Sequence, residues 1–596
     1  MINIQNKVDC CGCNACGDIC PKQAISYKTD NEGFWYPEVD MEKCIDCGLC
    51  EKACPIINVK DIKKNDYQEP ICYAAEHKNI EVIFDSTSGG LFSALAEIMY
   101  RSKGYVGGAV YNDDFTVCQY ISNDKEDLPK LRSSKYLQSN LEGFYKKVKQ
   151  LVIAGEQVLV CGTPCQMAAL RAYLQKDYDN LIIADFICRG INSPKVWLKY
   201  IASFEERYGS PVVYSKAKSK EYGWRNLTQK VILADGRHIY ETKEKNDYTK
   251  GYLRTNAYCR PSCYDCKFKG FPRIADISLA DFWGIEKVDR SMDKNLGTSL
   301  VMINSHKGEA FFEKAKTRAK TIQVTFESIL SGNKALTTSL PPSKVNREQF
   351  FEDLDKLSFS ELSKLYFIDN PIPLKQKVKK AIRTCVHILR MPFGDFAFCK
   401  VIKYNNIKQI IEGIYFAPYK YTAIQIDKHS HFINKGLFGF GYKRVKGSKL
   451  DSRLLVEKGA TLEVLDSFNV YYGADIEVFK DAKLVIKGGG GANINFTCIC
   501  GEYIEIGKNV QIGRGVTIRD NNGNHYINRT GYKNTRPVII GDKAWLCEGC
   551  TIMPGVKVGE GAIVGAHAFV TQNVPAHSIV SGNPAQVVDT DVLWKY

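Results

Sequence analysis

The 596-residue chain has no apolar run that approaches the roughly 18 residues needed to cross a bilayer. Met1–Asn6 lacks the basic and apolar regions of a signal peptide. No zinc-finger, helix-turn-helix or aromatic stacking motif accompanies the net charge of +15, so we expect no nucleic-acid partner. Together with the 23 cysteines, these absences predict a cytoplasmic protein in a reducing compartment.

Eight cysteines form two N-terminal runs with the same spacing, C-x-x-C-x-x-C-x-x-x-C-P. In such runs three thiolates hold one iron–sulfur cube and the fourth reaches the other cube. Zinc sites use two spaced pairs, and a disulfide framework belongs to secreted chains, so both alternatives are disfavoured. The spacing predicts two 4Fe-4S clusters, one on Cys10, Cys13, Cys16 and Cys54 and the other on Cys44, Cys47, Cys50 and Cys20.

Residues 1–60 resemble bacterial two-cluster ferredoxins, with Cys11 as a spare thiol. The resemblance implies an α+β domain that carries single electrons. Something later in the chain should therefore accept or supply them, and a ferredoxin or another electron donor or acceptor is the expected partner.

Alternating apolar strands and helices over residues 70–345 predict an α/β domain. The segment Ser86–Gly90 precedes an amphipathic helix, Leu91–Arg101. Glycines and hydroxyls at a helix N-terminus offer amide donors to a phosphate, although an ordinary helix cap explains the pattern as well.

Further motifs in this domain are Ser134-Lys-Tyr136, Cys161-Gly-Thr-Pro-Cys165 and Asp276–Gly284. With them the domain resembles the beta subunits of deazaflavin-reducing hydrogenases and dehydrogenases, which bind a flavin, usually FAD. The chain has no nickel-site motif, so use of the deazaflavin does not follow from the resemblance. The resemblance implies that Lys135 stabilises the anionic reduced flavin. The implied flavin site comprises Ser88, Gly89, Gly90, Ser134, Lys135, Tyr136 and Thr163.

A third 4Fe-4S cluster is predicted from cysteines of the same domain. Cys263 and Cys266 have ligand spacing, and three other thiols are candidates to complete the set. Cys165 and Cys188 are favoured because they lie in the family's motifs, and Cys259 is the alternative ligand. Buried free thiols and a plain CxxC turn would explain the same residues without a cluster.

Residues 346–425 are predicted to form a helical, basic linker. Eight lysines and arginines against Asp395 alone lie between Leu374 and Lys403, which is about half of the net charge. The apolar stripe of Leu374–Arg390 predicts an amphipathic helix. Packing on a neighbouring domain is one role for it, and peripheral contact with anionic lipid at the inner face of the membrane is the other.

Residues 426–596 have a six-residue period of aliphatic side chains, often followed by glycine. This is the hexapeptide signature of a parallel β-helix, with looser repeats back to about Leu454. The periodic positions are Ile506, Ile512, Ile518, Ile540, Leu546, Ile552, Val558, Val564 and Val570. The 22 residues from Ile518 to Ile540 break the period, so a loop must leave the coil there.

That loop carries His525, in the position where hexapeptide O-acetyltransferases place their general base. The resemblance continues through Trp545 and the segment Asn583-Pro584-Ala585, which would lie near coenzyme A. It implies a left-handed coil, acetyl-CoA as co-substrate, and a homotrimer in which each groove lies between two subunits. A histidine on a loop is otherwise merely solvated.

The sequence therefore predicts a fusion of an iron–sulfur flavoprotein oxidoreductase with a CoA-dependent sugar O-acyltransferase. The acceptor would be a sugar nucleotide or lipid-linked oligosaccharide in surface polysaccharide synthesis. One alternative is a single-function, deazaflavin- or ferredoxin-linked oxidoreductase whose β-helix is only a trimerisation scaffold. A non-catalytic assembly protein is disfavoured because the ligand sets are intact.

Overall fold

The computed structural model describes residues 1–62, 64–243, 245–367, 398–443, 445, 448–523, 525 and 531–594. The chain divides into two compact units, Met1–Asp369 and Asn370–Tyr596. In the described part of the chain, no helix is long and apolar enough to cross a membrane.

The N-terminal cysteine runs surround a small hairpin. Strands Ile25–Thr29 and Trp35–Val39 pair antiparallel, and helices Ala15–Asp18 and Leu49–Lys52 follow the first cysteines of each run. Each short helix is preceded by a residue in the left-handed region, Asn14 or Gly48, which turns the chain back within the run. The first three thiols of each run lie beside one another.

A nine-stranded mixed sheet forms the centre of the first unit. Its inner strands Val158–Gly162 and Leu181–Phe186 are apolar along nearly their whole length, as expected for parallel strands covered on both faces. In sheet order the strands are Ala319–Val324, Ile71–His77, Ser299–Ile303, Ile277–Asp281, Leu181–Phe186, Val158–Gly162, Tyr105–Tyr111, Val117–Ser122 and Ser139–Asn140.

Helices cover this sheet, and a second, three-stranded sheet lies in the same unit. Its strands are His238–Glu241, Thr228–Leu233 and Val212–Ser219, in that order. The helices are Ile80–Asp85, Leu91–Arg101, Leu128–Leu131, Phe144–Ile153, Pro164–Leu174, Pro194–Tyr208, Asp247–Arg254, Ile285–Val288, His306–Ala315 and Phe326–Leu330, followed by Arg347–Lys356 and Phe359–Tyr366.

The last two helices of this unit lie beyond the predicted domain end at residue 345. Phe350, Leu354 and Leu362 are buried in the same core as Trp197 and Tyr258, so these helices pack with the α/β domain. The amphipathic segment predicted over Leu374–Arg390 lies outside the described residues.

The second unit is a parallel coil with three faces. After helices Phe398–Tyr404 and Ile407–Glu412, each strand up to Thr551–Ile552 pairs with the strand three places further on, so successive strands belong to different faces. This confirms the predicted parallel β-helix, consistent with a left-handed coil. One face comprises Phe416–Pro418, Phe438–Tyr442, Phe468–Tyr471, Gly491–Ala492, Gln511–Ile512, Trp545–Leu546, Ile563–Val564, Ile579–Gly582 and Ala585–Asp589, of which only the last pairs antiparallel.

The other two faces are shorter. The second has seven strands, Thr422–Ile426, Ser452–Val456, Asp475–Val478, Thr497–Cys500, Thr517–Arg519, Thr551–Ile552 and Phe569–Val570. The third has six, His431–Asn434, Thr461–Val464, Lys483–Ile486, Tyr503–Ile506, Val538–Ile540 and Lys557–Val558.

The period-six aliphatic residues all point into the coil and are almost fully buried. The coil nevertheless begins at Phe416, earlier than the boundary at 426 and the first repeat at Leu454. Its first turns are filled by Phe416, Phe438 and Phe440, whose large rings replace several small aliphatic residues and remove the six-residue pattern.

Candidate redox and acyl-transfer sites

The cysteines of the two N-terminal runs line two cavities. Cys20 lies with Cys44, Cys47 and Cys50 around one cavity. Cys54 lies with Cys10, Cys13 and Cys16 around the other. The last cysteine of each run has therefore crossed to the thiols of the other run, which is the grouping that the spacing predicts.

Backbone amides point at several of these sulfurs. The Ile2 amide donates to Cys50 Sγ at 3.2 Å, and the Ala24 amide donates to Cys20 Sγ at 3.3 Å. The Tyr27 hydroxyl lies 3.5 Å from Cys16 Sγ. Hydrogen-bond donors of this kind stabilise the negative charge of thiolates that bind an iron–sulfur cluster. The residues at each cavity therefore fit a 4Fe-4S cube.

Within the described ranges, no three His, Cys, Asp or Glu side chains converge closely enough to hold a single metal ion. The four thiolates of a 4Fe-4S cube bind four different irons, so they stand further apart than the ligands of one zinc ion.

A third cavity is lined by the thiols of the middle domain. Cys165 follows strand Val158–Gly162 and Cys188 follows Leu181–Phe186. Because these neighbouring strands are parallel, their carboxyl ends meet at one edge of the sheet. Cys263 and Cys266 complete the cavity lining, together with Lys269 and Arg273. The Ile191 amide donates to Cys263 Sγ at 3.3 Å, so this donor set also fits a cube.

Cys259 is not among the residues that line this cavity. Its thiol is fully buried and donates to Asn192 Oδ1 at 3.2 Å. The structure thus brings together the four favoured ligands and leaves the alternative ligand apart.

Cys11 connects the ferredoxin-like segment to this third set. Its thiol lies against the thiols of Cys13 and Cys165 in one buried cluster. Interaction with the Cys11 thiol lowers the pKa of Cys165 to about 7 and also lowers the pKa of Cys13. The residue predicted to be spare therefore lies between two candidate cluster ligands.

The serine–glycine segment of the expected flavin site is bound to the neighbouring strands. Ser88 Oγ donates to the Thr298 carbonyl at 3.0 Å, and the Gly89 amide donates to Ser299 Oγ at 2.9 Å. A Cβ on Gly89 would lie 2.4 Å from the Ala75 carbonyl oxygen, so only glycine fits there. Gly90 begins helix Leu91–Arg101 in the left-handed region.

The other expected flavin residues lie nearby. The Ser134 amide donates to Thr87 Oγ1 at 2.9 Å, which joins the two motifs. Thr163 caps helix Pro164–Leu174, and its hydroxyl lies 3.1 Å from Cys165 Sγ. Tyr136 is half-buried, with the Lys218 ammonium 5.5 Å from its ring.

Lys135 lies at the end of helix Leu128–Leu131. Its ammonium donates to the carbonyls of Lys130 at 2.7 Å, Leu131 at 3.3 Å and Arg132 at 2.9 Å. Burial, and then the nearby Lys216, lower the pKa of Lys135 to about 7. In this arrangement the cation complements the negative end of a helix. Its role toward a flavin stays a prediction.

Three lysines of strand Val212–Ser219 and its continuation were missed by sequence reasoning. Lys216 pairs with Asp85, and Lys218 pairs with Asp281 at 2.5 Å. Lys220 donates to the carbonyls of Ile83 at 2.6 Å and Ser88 at 2.5 Å. The signal was present as alternating lysines, which a strand places on one face.

Asp281 also belongs to an aromatic platform in this region. The rings of Trp224 and Trp283 stack with centroids 4.4 Å apart, and Trp224 Nε1 donates to Asp281 Oδ1 at 3.1 Å. Lys218 Nζ is 5.6 Å from the Trp283 ring. Flat aromatic faces beside buried cations can hold a conjugated ring and its phosphates.

In the second unit, His525 is exposed on the loop between strands Thr517–Arg519 and Val538–Ile540. Asp520, which is fully buried, fixes the base of this loop. Its carboxylate accepts hydrogen bonds from the amides of Gly501 at 2.6 Å, Glu502 at 2.8 Å and Tyr503 at 2.8 Å. The two arms are joined where Asn534 Nδ2 donates to the Gly523 carbonyl at 2.7 Å.

The residues expected near coenzyme A lie on the face that carries Trp545. Trp545 is 39% exposed, and its ring centroid is 5.5 Å from that of Trp594. Asn583 and Pro584 form the turn between strands Ile579–Gly582 and Ala585–Asp589, and Ala585 begins the second strand.

Three sequence profiles match separate parts of the chain. Residues 9–57 match a 4Fe-4S dicluster domain, and residues 155–327 match the family described as the C terminus of the coenzyme F420 hydrogenase/dehydrogenase beta subunit. Residues 537–572 match the bacterial transferase hexapeptide family. The chain therefore combines an iron–sulfur segment, a hydrogenase-beta-like domain and a hexapeptide repeat.

Galactoside O-acetyltransferase of Escherichia coli strain K12 is 30% identical over 99 residues, which are 16% of this chain and 49% of that protein. The chain spans between about a third and a half of the length of the curated relatives it matches.

Two solved structures are also similar. One is the F420-reducing NiFe hydrogenase complex of Methanosarcina barkeri, with 16% identity, a TM-score of 0.31 and coverage of 54% of this chain and 96% of that chain. The other is the polySia specific acetyltransferase NeuO, with 20% identity, a TM-score of 0.22 and coverage of 29% of this chain and 82% of that chain.

Proposed function

We propose that the chain is a bifunctional enzyme, in which an iron–sulfur flavoprotein oxidoreductase is fused to a CoA-dependent sugar O-acyltransferase. The observation that carries the first half is the grouping of the twelve predicted ligand cysteines around three cavities, four at each, with Cys11 as a further thiol at the cavity of Cys10. The acyltransferase half is supported by the hexapeptide coil and by the 30% sequence identity to a galactoside O-acetyltransferase over 99 residues.

In the oxidoreductase, a bound 4Fe-4S cluster supplies one-electron chemistry and a bound FAD couples it to two-electron chemistry. Cys20, Cys44, Cys47 and Cys50 would hold the outer cluster, because Cys47 is the exposed thiol. The set that contains Cys10 would be the inner one, since Cys11 bridges it to Cys165. This order leaves the inner set next to the middle domain.

The chain's own residues would prepare the flavin site. Lys218 is a largely buried cation that holds Asp281, and Lys220 donates to the Ser88 carbonyl and thereby fixes the serine–glycine segment. Trp283, which is half-buried and stacks on the buried Trp224, provides a flat apolar surface beside them. Lys135 is held by three carbonyls at the end of helix Leu128–Leu131, and an anionic flavin beside it would favour its charged form. The redox substrate would be a small conjugated or carbonyl compound. Its reduction potential, relative to that of the clusters, sets the direction of electron flow.

In the acyltransferase, His525 would accept the proton of a sugar hydroxyl while that oxygen attacks the thioester carbonyl of acetyl-CoA. The C–O bond forms, the C–S bond breaks, and the proton passes to the CoA thiolate. Asp520 acts at the base of the loop, where its three amide contacts hold the segment that presents His525. A sugar nucleotide or lipid-linked oligosaccharide of surface polysaccharide synthesis is the proposed acceptor.

The test uses the full chain, purified without oxygen and assayed for iron, sulfide and flavin. The same sample is then incubated with acetyl-CoA and a panel of nucleotide sugars, and products are read by mass spectrometry. Acetylated sugar together with bound iron and flavin supports both halves. Iron and flavin without any transfer would favour the single-function oxidoreductase with a scaffolding coil.

A further inference from the structure

Arg260, from the segment Cys259-Arg-Pro-Ser-Cys263, crosses from the middle domain to the ferredoxin-like segment. Its side chain is completely buried. Nε donates to the Cys10 carbonyl at 2.8 Å and Nη2 donates to the Trp35 carbonyl at 3.0 Å. Nη2 also lies 3.5 Å from Cys10 Sγ, a candidate cluster ligand. Nη1 donates to Gln138 Oε1 at 2.8 Å.

The surroundings of the guanidinium are close-packed. Its carbon is 4.4 Å from the centroid of the Tyr36 ring and 5.3 Å from that of Phe34. A Cβ on Gly12 would lie 2.7 Å from Nη1, so a glycine is needed where the first cysteine run passes Arg260. The guanidinium is therefore held in one position against Cys10.

The charge of Arg260 has no acidic partner among the residues that the structure describes. Its oxygen acceptors are two carbonyls and an amide, all neutral, and its remaining contact is the sulfur of Cys10. A buried cation without a compensating anion is strongly destabilising. A negatively charged cluster on Cys10, Cys13, Cys16 and Cys54 would supply that anion.

Positive charge and hydrogen bonds to sulfur are among the factors that set the potential of an iron–sulfur cluster. The reduced cube carries one more negative charge than the oxidised cube, so a nearby cation favours reduction. We propose that Arg260 is a positioning residue that docks this cysteine set on the middle domain and raises the reduction potential of its cluster. The proposal rests on the electron-transfer half of the proposed function.

Arg347 provides a matched control, because it also clamps the ferredoxin-like segment. Its Nε and Nη2 donate to the two carboxylate oxygens of Glu32, each at 2.7 Å, and Nη1 donates to the carbonyls of Ala257 and Cys259 at 2.6 Å. None of these contacts involves a sulfur. Losing Arg347 should loosen the same interface without removing charge from a cluster.

The experiment is an anaerobic redox titration of the full chain, followed by EPR, on wild type, Arg260→Gln, Arg260→Lys and Arg347→Gln. In Arg260→Gln, the ratio of reduced to oxidised form of one cluster should fall about tenfold at a given potential, a shift of about 59 mV. Arg260→Lys keeps the charge and should restore most of the potential. Arg347→Gln should lower thermal stability but leave the potentials of all three clusters unchanged. Unchanged potentials in an iron-replete Arg260→Gln protein would overturn the proposal.

A second measurement applies even where Arg260→Gln does not fold. Wild-type protein labelled with 15N-arginine should show nitrogen coupling to one reduced cluster in pulsed EPR, and Arg260→Lys should lose it. Absence of that coupling in iron-replete wild type would refute the proposal. Wild-type protein that binds no iron when reconstituted would instead refute the electron-transfer function itself.

Discussion

The thiol of Cys11 packs against the thiol of Cys165, although 154 positions separate the two residues in the sequence. Cys11 belongs to the ferredoxin-like segment and Cys165 to the motif that ends strand Val158–Gly162. Cys11 also contacts Cys13 of the first cysteine set. Cys11 therefore lies between the cysteine set that contains Cys10 and the set that contains Cys165. The three sets then follow in the order outer ferredoxin-like set, inner ferredoxin-like set, middle-domain set.

The third cysteine set can be tested by counting iron. Wild-type protein should contain about 12 irons per chain, and the double change Cys263→Ser with Cys266→Ser should lower this to about 8, because one cube loses two ligands. Cys259→Ser is the control, since its thiol is as deeply buried but lies outside the cavity lining. Anaerobic iron and sulfide assays measure all three proteins. Equal iron in wild type and double variant would exclude the third cluster.

Replacement of Cys11 should change the reduction potential of the neighbouring cluster and leave the iron content of the protein unchanged. Cys11→Ala removes the thiol that favours the thiolate form of Cys165, and loss of a stabilising group beside a ligand sulfur favours the oxidised cluster. We expect full iron content and a lower potential for the cluster on Cys165. Cys72→Ala is the matched control, because that buried thiol donates only to the Pro70 carbonyl. Loss of four irons in Cys11→Ala would mean that Cys11 is itself a ligand.

Purified protein should release FAD on denaturation, and Lys135→Ala should retain less flavin than wild type. The reason is the loss of an ammonium group that an anionic flavin beside the serine–glycine segment would keep in its charged form. Lys130→Ala is the comparison, since that lysine is exposed and pairs with Asp127 on the surface. Flavin fluorescence after denaturation gives the retained fraction. Lys135 would have only a capping role if its variant lost stability but kept wild-type flavin content.

Local patterns predicted the features that repeat at short range. The spacing of the two cysteine runs predicted how eight thiols are grouped, and the six-residue period predicted the coil. Both patterns depend on residues only a few positions apart in the sequence. The start of the coil at Phe416 was missed because aromatic side chains fill its first turns without a regular period. A single large ring fills the space that several small aliphatic side chains would occupy, so the six-residue spacing is not visible in this part of the sequence.

Contacts between distant segments could not be predicted in the same way. Cys11 and Arg260 each have a plain local explanation, a spare thiol and a basic residue before proline. Their importance arises only where the first cysteine run packs against the middle domain, which depends on the whole fold. The alternating lysines Lys216, Lys218 and Lys220 were visible as a pattern, but their burial against Asp85 and Asp281 was not.

The role of His525 can be separated from folding, because the residue is exposed and projects from a loop whose base is held by Asp520. His525→Ala should change the free energy of unfolding by less than about 0.5 kcal/mol, the usual limit for an exposed position. Acetyl transfer should nevertheless fall by roughly a hundredfold or more, which is the scale for losing a general base. Product formation from acetyl-CoA and the thermal transition are measured on the same preparation.

His429→Ala is the control for that experiment, because it is an exposed histidine of the same unit that pairs only with Asp427, at 3.3 Å. It should transfer acetyl groups at the wild-type rate. Cluster and flavin reduction should respond to neither change, since the two activities use different residues. A His525→Ala protein that transfers at the wild-type rate would require another base. If instead neither the wild type nor any variant transferred acetyl groups, the coil would serve only to assemble the chain, and the oxidoreductase would be the sole activity.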